Sequence, residues 1–293
     1  MKKLLTAFLL ALPVWAMAAG GGAHLDKAPI DLHDKESLQR GAKAFVTNCL
    51  SCHSAEYMRY NRIGRDTGMS DAEVAEQLIH TRDEGGEPTK VGALMKVAMN
   101  EEYAKQAFGT KIPGLSVIAR AKGADYLYTY LRTFYLDDSR PSGMNNIAFP
   151  DVGMPHVLWQ QQGLQKANFK TETDAEGNEH KVFEGMEIVQ PGTMSPEEYD
   201  AYVADLVNFM VYMAEPAQLQ RKSIGGWVLV FLAIVGVIAY LRMKEYGKDV
   251  HWGQAANRDV RYPVNRYLVP FLEATEYGVK RPRQSQIGYE SVF

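Results

Sequence analysis

The most informative stretch of this sequence is Cys49-Leu50-Ser51-Cys52-His53. These residues place two thiols and one imidazole within a single turn, in the spacing C-x-x-C-H. On a helix, side chains three and four positions apart face the same way, so Cys49, Cys52 and His53 can contact one flat ring system. The thiols can bond its two vinyl edges while the imidazole reaches its iron. The motif therefore predicts one covalently attached haem c.

Other uses of a C-x-x-C pair fit this chain less well. A structural zinc site needs four closed ligands, and the sequence has two cysteines in all. A redox dithiol is typical of a βαβ setting, which the flanking helical pattern does not offer. The histidines outside the motif are scattered and form no cluster: His24, His33, His80, His156, His180 and His251. Haem attachment is the interpretation that these residues favour.

The N-terminus has the pattern of a secretory signal peptide over residues 1–18. Lys2 and Lys3 precede an apolar run from Leu4 to Val14, and Ala16-Met17-Ala18 is a small-residue cleavage site. The alternative is an uncleaved anchor. Free thiols oxidise in the compartment outside the cytoplasmic membrane, so two cysteines consumed as thioethers suit an exported chain.

A second apolar segment lies near the C-terminus. Ile224 to Leu241 is an 18-residue run without a charged side chain, about 27 Å long if helical and enough to cross a membrane. Trp227 and Tyr240 lie near its ends, as interfacial anchors do. More cations follow the run than precede it, which predicts a cytoplasmic C-terminal side. A buried core helix is the alternative.

Charge is distributed unevenly about this segment. Residues 19–222 hold 29 Asp and Glu against 21 Lys and Arg, a net charge of −8, whereas residues 223–293 hold 6 against 9, a net charge of +3. An acidic exported domain can steer a basic soluble partner, although solubility alone also explains the charge. Neither part is basic enough to indicate nucleic-acid binding.

Two helices are predicted around the motif. Asp34 to Asn48 places Leu38, Ala42 and Phe45 on one face and delivers Cys49. Ser70 opens a capping box for a helix that runs to about Thr81. The side chains expected on the inner face of this second helix are Val74, Ala75 and Leu78.

Two further helices are predicted downstream. Ala124 to Tyr135 repeats apolar and aromatic residues at helical spacing, a stripe that indicates core packing. Ser195 begins a capping box with Pro196 at the first helical position, and the pattern continues until Pro216. Between them, residues 139–193 are rich in Pro, Gly and Asn and predict long loops. A hairpin is predicted over 170–188, with its turn near Glu176-Gly177-Asn178.

The sixth iron ligand is predicted from this loop region. Gly153-Met154-Pro155 would hold a thioether close to a ring face, since glycine and proline restrict where the loop can run. A thioether is a soft ligand that raises the potential of haem iron. On spacing alone, the rivals of Met154 are Met144, Met186 and His156.

Three segments resemble the cytochrome c1 family, the membrane-anchored haem subunits of cytochrome bc1 complexes. The resemblance runs from about Leu32 to Tyr246 and includes the single anchor. It rests on Ser37-Leu38-Gln39-Arg40-Gly41 with Cys49 to Ser54 and Tyr57-Met58-Arg59-Tyr60-Asn61-Arg62, on Leu115 to Arg120 with Asp125 to Leu131, and on Phe149-Pro150-Asp151-Val152-Gly153-Met154-Pro155.

The resemblance implies a mainly α, class I cytochrome c-like haem domain with long loop insertions, plus one C-terminal transmembrane helix. It implies Met154 as the sixth ligand, Arg120 and Tyr126 as partners of the haem propionates, and Pro113 as a further haem contact. An Arg guanidinium suits a carboxylate through paired donors. Together with the two apolar segments it suggests these boundaries: a signal peptide at 1–18, a periplasmic haem domain at 19–222, a transmembrane helix at 223–242 and a cytoplasmic tail at 243–293.

The implied function is electron transfer within a quinol:cytochrome c oxidoreductase, and the chain would not be an enzyme on its own. The implied partners are cytochrome b, the Rieske iron–sulfur protein, a cytochrome c acceptor and inner-membrane lipid, in a dimeric complex of the bacterial inner membrane. The alternatives are a haem subunit of a terminal oxidase, a haem peroxidase, which would need an open sixth position, and a non-redox assembly subunit.

Two departures from the family pattern stand out. Ile112-Pro113-Gly114-Leu115-Ser116 occupies the place where the family usually has Pro-Pro-Asp-Leu-Ser. The chain also continues from Trp252 to Phe293, beyond the point where bacterial members commonly end. That extension is rich in aromatic and arginine residues, which are enriched at interfaces. We expect it to be either disordered or laid along the cytoplasmic face of cytochrome b.

Overall fold

The computed structural model describes residues 24–83, 85–97, 99–109, 111–173 and 179–248. The chain divides into two compact units, one ending at Ile224 and the other beginning at Gly225. The described residues are mostly helical, with three antiparallel strand pairs. The predicted signal peptide at 1–18 and the extension from Trp252 to Phe293 lie outside the described residues.

The core of the first unit is built on helices α1 (Lys35–Asn48) and α8 (Pro196–Ala214). Asp34 caps α1, and Ser195 forms a capping box for α8, so both predicted helix starts are confirmed. The two helices approach so closely that a Cβ on Gly41 would lie 2.0 Å from the carbonyl oxygen of Asp205. Phe45 and Phe209 pack beside this point with ring centroids 5.6 Å apart.

The helix after Ser70 is shorter than the sequence predicts. Strand β1 (Ala55–Arg59) leads into α2 (Tyr60–Thr67), and the capping box at Ser70 then opens α3 (Asp71–Leu78). Val74 and Leu78 are fully buried, but Ala75 is exposed. The prediction of Ala75 on the inner face was therefore wrong, because eight residues of helix bury only a narrow stripe.

Short elements complete the centre of the chain. Strand β2 (Leu94–Met95) pairs with β1. Helix α4 (Glu101–Phe108) and helix α5 (Ile118–Lys122) follow, and Gly123, with φ of 90°, separates α5 from α6 (Ala124–Arg132).

Helix α6 ends three residues before the predicted boundary at Tyr135. Phe134 belongs instead to strand β3 (Phe134–Leu136), which pairs with β4 (Met144–Asn146). Phe134 pairs with Asn146, twelve positions further along the chain, and a helical period cannot reveal such a pairing. Phe134 is nevertheless buried, as its place in the predicted apolar stripe required.

The loop region contains more regular structure than the sequence predicts. Helix α7 (Trp159–Gln162) precedes a hairpin of β5 (Gly163–Thr173) and β6 (Glu179–Pro191). The hairpin predicted over 170–188 is therefore present, and it begins earlier and ends later. Its turn, predicted at Glu176-Gly177-Asn178, lies outside the described residues.

Helix α9 (Gln218–Tyr246) contains the predicted apolar segment and is 29 residues long. It is the one helix in the described part of the chain that is long and apolar enough to cross a membrane. Its side chains are exposed, including Trp227 at 76% and Phe231 at 63%. A helix that exposes apolar side chains in this way suits a lipid environment, so the buried core-helix alternative is not supported.

Candidate haem site

The C-x-x-C-H motif forms a turn directly after α1, so it is not part of the helix itself. The Cys49 N–H still donates to the carbonyl oxygen of Phe45 at 2.9 Å, in the helical pattern. The carbonyl oxygen of Cys49 then accepts from the N–H groups of Cys52 at 3.1 Å and His53 at 2.8 Å. These bonds fold the five residues back on themselves and keep both thiols and the imidazole within one turn.

His53 is oriented by a backbone carbonyl. Its Nδ1 atom lies 2.7 Å from the carbonyl oxygen of Pro113. Burial lowers the pKa of the His53 imidazole, and the contact with Pro113 opposes this effect only in part. A neutral ring that donates from Nδ1 keeps the lone pair of Nε2 for a metal. Pro113 is thus a neighbour of the predicted fifth ligand through its main chain.

The two cysteines are not joined in a disulfide, although they are three residues apart. Burial, with a smaller contribution from Cys52, raises the pKa of the Cys49 thiol to about 12. A reactive redox dithiol or a zinc thiolate needs a low thiol pKa, so this environment disfavours both. Beside Cys49, the amide of Asn48 donates to the Tyr202 hydroxyl of α8 at 2.7 Å.

Met154 lies in a loop that polar contacts hold on its N-terminal side. The Asp151 N–H donates to the side-chain oxygen of Asn145 at 2.8 Å, and Arg140 pairs with the Asp151 carboxylate at 2.8 Å. Asp151 has a φ of 62°, a left-handed conformation that aspartate tolerates better than most residues. The Met154 side chain is half-buried against a small apolar cluster: Phe134, Met144 and Val152.

A tyrosine hydroxyl contacts the predicted sulfur ligand. The Tyr130 hydroxyl of α6 donates to Met154 Sδ at 3.4 Å. The sequence indicated Tyr130 only as a member of the core stripe. The position of this tyrosine one helical turn after Tyr126 was the available signal, since residues four apart share a helix face.

The rivals of Met154 lie in other settings. Met144 is buried in β4, and Met186 lies in the hairpin, opposite Ala167. His156 is buried and stacks on Phe134 with centroids 4.9 Å apart and planes 6° apart. Burial lowers the pKa of His156 to about 4, while Gln162 opposes the shift.

The predicted propionate partners lie on α5 and α6. Tyr126 is half-buried and stacks on Tyr130, with centroids 6.0 Å apart. Arg120 is exposed, and its charge helps to lower the pKa of Glu215, after the larger effect of Arg221. No ion pair of Arg120 occurs within the described ranges, so its guanidinium is available to an anionic group.

These donors fit a haem c. The turn supplies two thiols, His53 has one ring nitrogen held and the other available, and Met154 supplies a thioether at the surface of an apolar cluster. No group of three or more His, Cys, Asp or Glu that could hold a metal ion occurs in the described part of the chain. A mostly helical domain with this turn and one apolar C-terminal helix is typical of membrane-anchored c-type cytochromes.

The chain matches the model of the cytochrome C1 family over residues 25–250. It therefore belongs to the cytochrome c1 family, as the three sequence segments predicted.

Curated relatives cover most of the chain. Cytochrome c1 of Allochromatium vinosum is 46% identical over 250 residues, which are 85% of this chain and 99% of the relative. A protein of Nitrosomonas europaea named ammonia monooxygenase gamma subunit is 50% identical over 250 residues, 85% of this chain and 98% of the relative. Cytochrome c1 of Cereibacter sphaeroides is 26% identical over 294 residues, 87% of this chain and 98% of the relative.

Family membership confirms the predicted class of function. Cytochrome c1 proteins bind haem c and are the membrane-anchored electron-transfer subunit of the bc1 complex, the ubiquinol–cytochrome c reductase, and they are not catalytic alone. The terminal-oxidase, peroxidase and assembly-subunit alternatives receive no support from the relatives named cytochrome c1.

Proposed function

We propose that the chain carries one haem c, attached through Cys49 and Cys52, with His53 and Met154 as axial ligands. The bound haem would supply a centre that accepts and releases one electron. The observation that carries the proposal is the 2.7 Å contact between His53 Nδ1 and the Pro113 carbonyl oxygen. It orients the imidazole and leaves Nε2 for iron, as outer-shell partners of metal-binding histidines do.

Met154 is preferred to its rivals because of its surroundings. Its loop carries no strand pairing, whereas Met144 and Met186 belong to paired strands. His156 is buried and stacks on Phe134 with ring centroids 4.9 Å apart, so its ring is already part of the apolar packing. Met154 is half-buried, and the Tyr130 hydroxyl contacts its sulfur.

Arg120, Tyr126 and Pro113 are proposed to hold the edge of the haem. Arg120 would pair with a propionate, and the Tyr126 hydroxyl would donate to one. Burial raises the pKa of Tyr126, so this hydroxyl keeps its proton at neutral pH. Pro113 contributes through its carbonyl group. The residues on either side of it, Ile112 and Gly114, differ from the family pattern. The contact of the Pro113 carbonyl oxygen with His53 still supports a role at the edge of the haem.

The proposed electron path runs from the Rieske iron–sulfur protein to a cytochrome c. The net charge of −8 over residues 19–222 would attract a basic soluble acceptor and raise the rate of encounter. Cytochrome b, in a dimeric complex, would surround the anchor together with inner-membrane lipid. In this arrangement the chain transfers electrons, and quinol oxidation takes place on its partners.

The proposed organisation follows the sequence boundaries: a signal peptide at 1–18, a periplasmic haem domain at 19–222 with the class I fold and long loop insertions, an anchor at 223–242 and a cytoplasmic tail at 243–293. The excess of cations after the apolar segment supports this orientation, because positive residues are retained in the cytoplasm.

Purification of the native membrane complex tests the proposed function. A tag on the chain should recover cytochrome b and a Rieske protein, and quinol should reduce the haem of the purified complex. Recovery of terminal-oxidase subunits, or of ammonia monooxygenase subunits as the name of the Nitrosomonas relative suggests, would contradict it. An untagged strain processed in parallel controls for non-specific recovery.

A further inference from the structure

Tyr130 is held in a fixed position beside the sulfur of Met154. Its ring stacks on Tyr126 at a centroid distance of 6.0 Å and meets the edge of Phe134 at 5.2 Å. Phe134 is itself fully buried and contacts the Met154 cluster. Aromatic neighbours on two sides leave the hydroxyl little freedom, so its 3.4 Å contact with Met154 Sδ is preorganised.

The hydroxyl is a donor in this contact. A thioether sulfur has only lone pairs to offer and is a weak acceptor. The contact with Met154 is the one hydrogen bond of the Tyr130 hydroxyl among the residues that the structure describes. Sulfur has two lone pairs, so one can face a metal while the other accepts the tyrosine proton.

We propose that Tyr130 is a positioning residue that tunes Met154 as an iron ligand and raises the reduction potential of the haem. This inference rests on the proposed function, because it requires Met154 to be the sixth ligand. A hydrogen bond to the sulfur withdraws electron density from it. The oxidised iron carries more positive charge and depends more on donation from sulfur, so it loses more stabilisation than the reduced iron.

The first test is a potentiometric titration of the Tyr130→Phe variant, made in the full chain and measured in native membranes. Phenylalanine keeps the ring and its contacts and removes only the hydroxyl. The equilibrium constant for reduction should fall by up to about tenfold, which is about 59 mV for a one-electron couple. Tyr135→Phe is the matched control. Tyr135 is also half-buried, but its ring packs against Phe169, with centroids 5.9 Å apart, and not against Met154.

A second measurement separates tuning from loosened packing. Imidazole is added to the oxidised protein, where it competes with the sulfur for iron. Loss of the hydrogen bond should strengthen the sulfur–iron bond, so Tyr130→Phe should bind imidazole more weakly than the parent protein. If the hydroxyl only anchors the loop, its removal would loosen the loop and imidazole would bind more tightly, which would overturn the proposal. Unchanged imidazole binding would overturn it as well.

A double-variant comparison tells the two proposals apart. The effect of Tyr130→Phe on the potential should vanish in a Met154→Leu background, since the two side chains act as a pair. An unchanged potential in Tyr130→Phe, with the near-infrared sulfur-to-iron absorption still present, overturns the role of Tyr130 alone. If that absorption persists in Met154→Leu, Met154 is not the ligand, and the proposed ligation and the role of Tyr130 fail together.

Discussion

The Nδ1 atom of His53 lies 2.7 Å from the carbonyl oxygen of Pro113, a residue 60 positions further along the chain. The contact joins the turn after α1 to the segment before α5. It is a main-chain contact, so the carbonyl group persists when the side chain at position 113 is changed. The orientation of the imidazole therefore depends on the path of the chain at 112–114 more than on the proline ring.

Replacement of Pro113 tests this dependence. Pro113→Ala retains the carbonyl, so we expect the absorption spectrum of the oxidised protein to be unchanged. The more flexible unfolded chain should lower the free energy of unfolding by about 0.4–1 kcal/mol, measured by denaturant titration of the full chain in detergent. A low-spin spectrum lost in this variant would show that the ring itself holds the site.

Replacement of Met154 tests the sixth ligand. Met154→Leu should abolish the weak near-infrared absorption from sulfur to iron and lower the reduction potential, on the order of a few tenths of a volt. Met144→Leu and Met186→Leu are matched controls, and both should retain the absorption. The assignment fails if the absorption disappears in Met144→Leu, or if His156→Ala reproduces the change.

The close approach of α1 to α8 predicts a large cost for any side chain at position 41. A Cβ there would lie 2.0 Å from the Asp205 carbonyl oxygen and 2.7 Å from Phe209 Cβ. We expect Gly41→Ala to lower the free energy of unfolding by about 1–3 kcal/mol, because the helices must move apart. Gly92→Ala is the control, since an added Cβ there meets no atom within 4 Å. Equal stability of the two variants would contradict the packing described.

The Asp66 carboxylate should make the folded state less stable at acid pH. Burial alone would raise its pKa, but hydrogen bonds from Arg62 and Tyr212 outweigh burial and hold the pKa below its ordinary value of 3.8. A carboxylate with a lowered pKa stabilises the fold above the pKa of the unfolded state. That contribution is lost as pH falls through the folded-state pKa, below about pH 4.

Measuring the unfolding free energy against pH checks this expectation. Asp66→Asn should be less stable than the parent protein at pH 7 and should lose less stability below pH 4. Asp138→Asn, at an exposed loop position, controls for the removal of one negative charge. Parallel curves for Asp66→Asn and the parent protein would exclude Asp66 as the cause.

The orientation of α9 can be tested by protease protection. Protease added outside spheroplasts should digest the haem domain and leave a protected fragment that contains Trp252 to Phe293, since positive residues follow the apolar segment. Permeabilised cells are the control, in which the tail should also be cut. Cleavage of the tail in sealed cells would reverse the orientation and exclude the proposed topology.

Local signals in the sequence predicted the helix starts correctly. Asp34, Ser70 and Ser195 each accept a hydrogen bond from the first turn of the helix that they cap. Such contacts span three residues, so a short window contains all the information. The apolar run of α9 could also be predicted, because one continuous segment of the sequence contains the whole pattern. The C-x-x-C-H turn was recognisable for the same reason.

Long-range contacts account for what the sequence could not predict. The end of α6 at Arg132 depends on the pairing of β3 with β4. The contact of His53 with Pro113 spans 60 residues, and that of Tyr130 with Met154 spans 24. No pattern within a single element indicates which side chain or carbonyl will meet another element. The sequence could therefore indicate candidate ligands, but not the contact of His53 Nδ1 with the Pro113 carbonyl oxygen or that of Met154 Sδ with the Tyr130 hydroxyl.

The packing of α8 against α1 also sets an order of events during biogenesis. Arg40 pairs with Asp205 across 165 residues, and Cys49, directly after α1, is 9% exposed in the finished fold. A ribosome completes residues 49–53 long before 196–214, so the nascent chain offers open thiols for a limited period. On the proposed attachment, thioether formation at Cys49 is expected to precede the docking of α8.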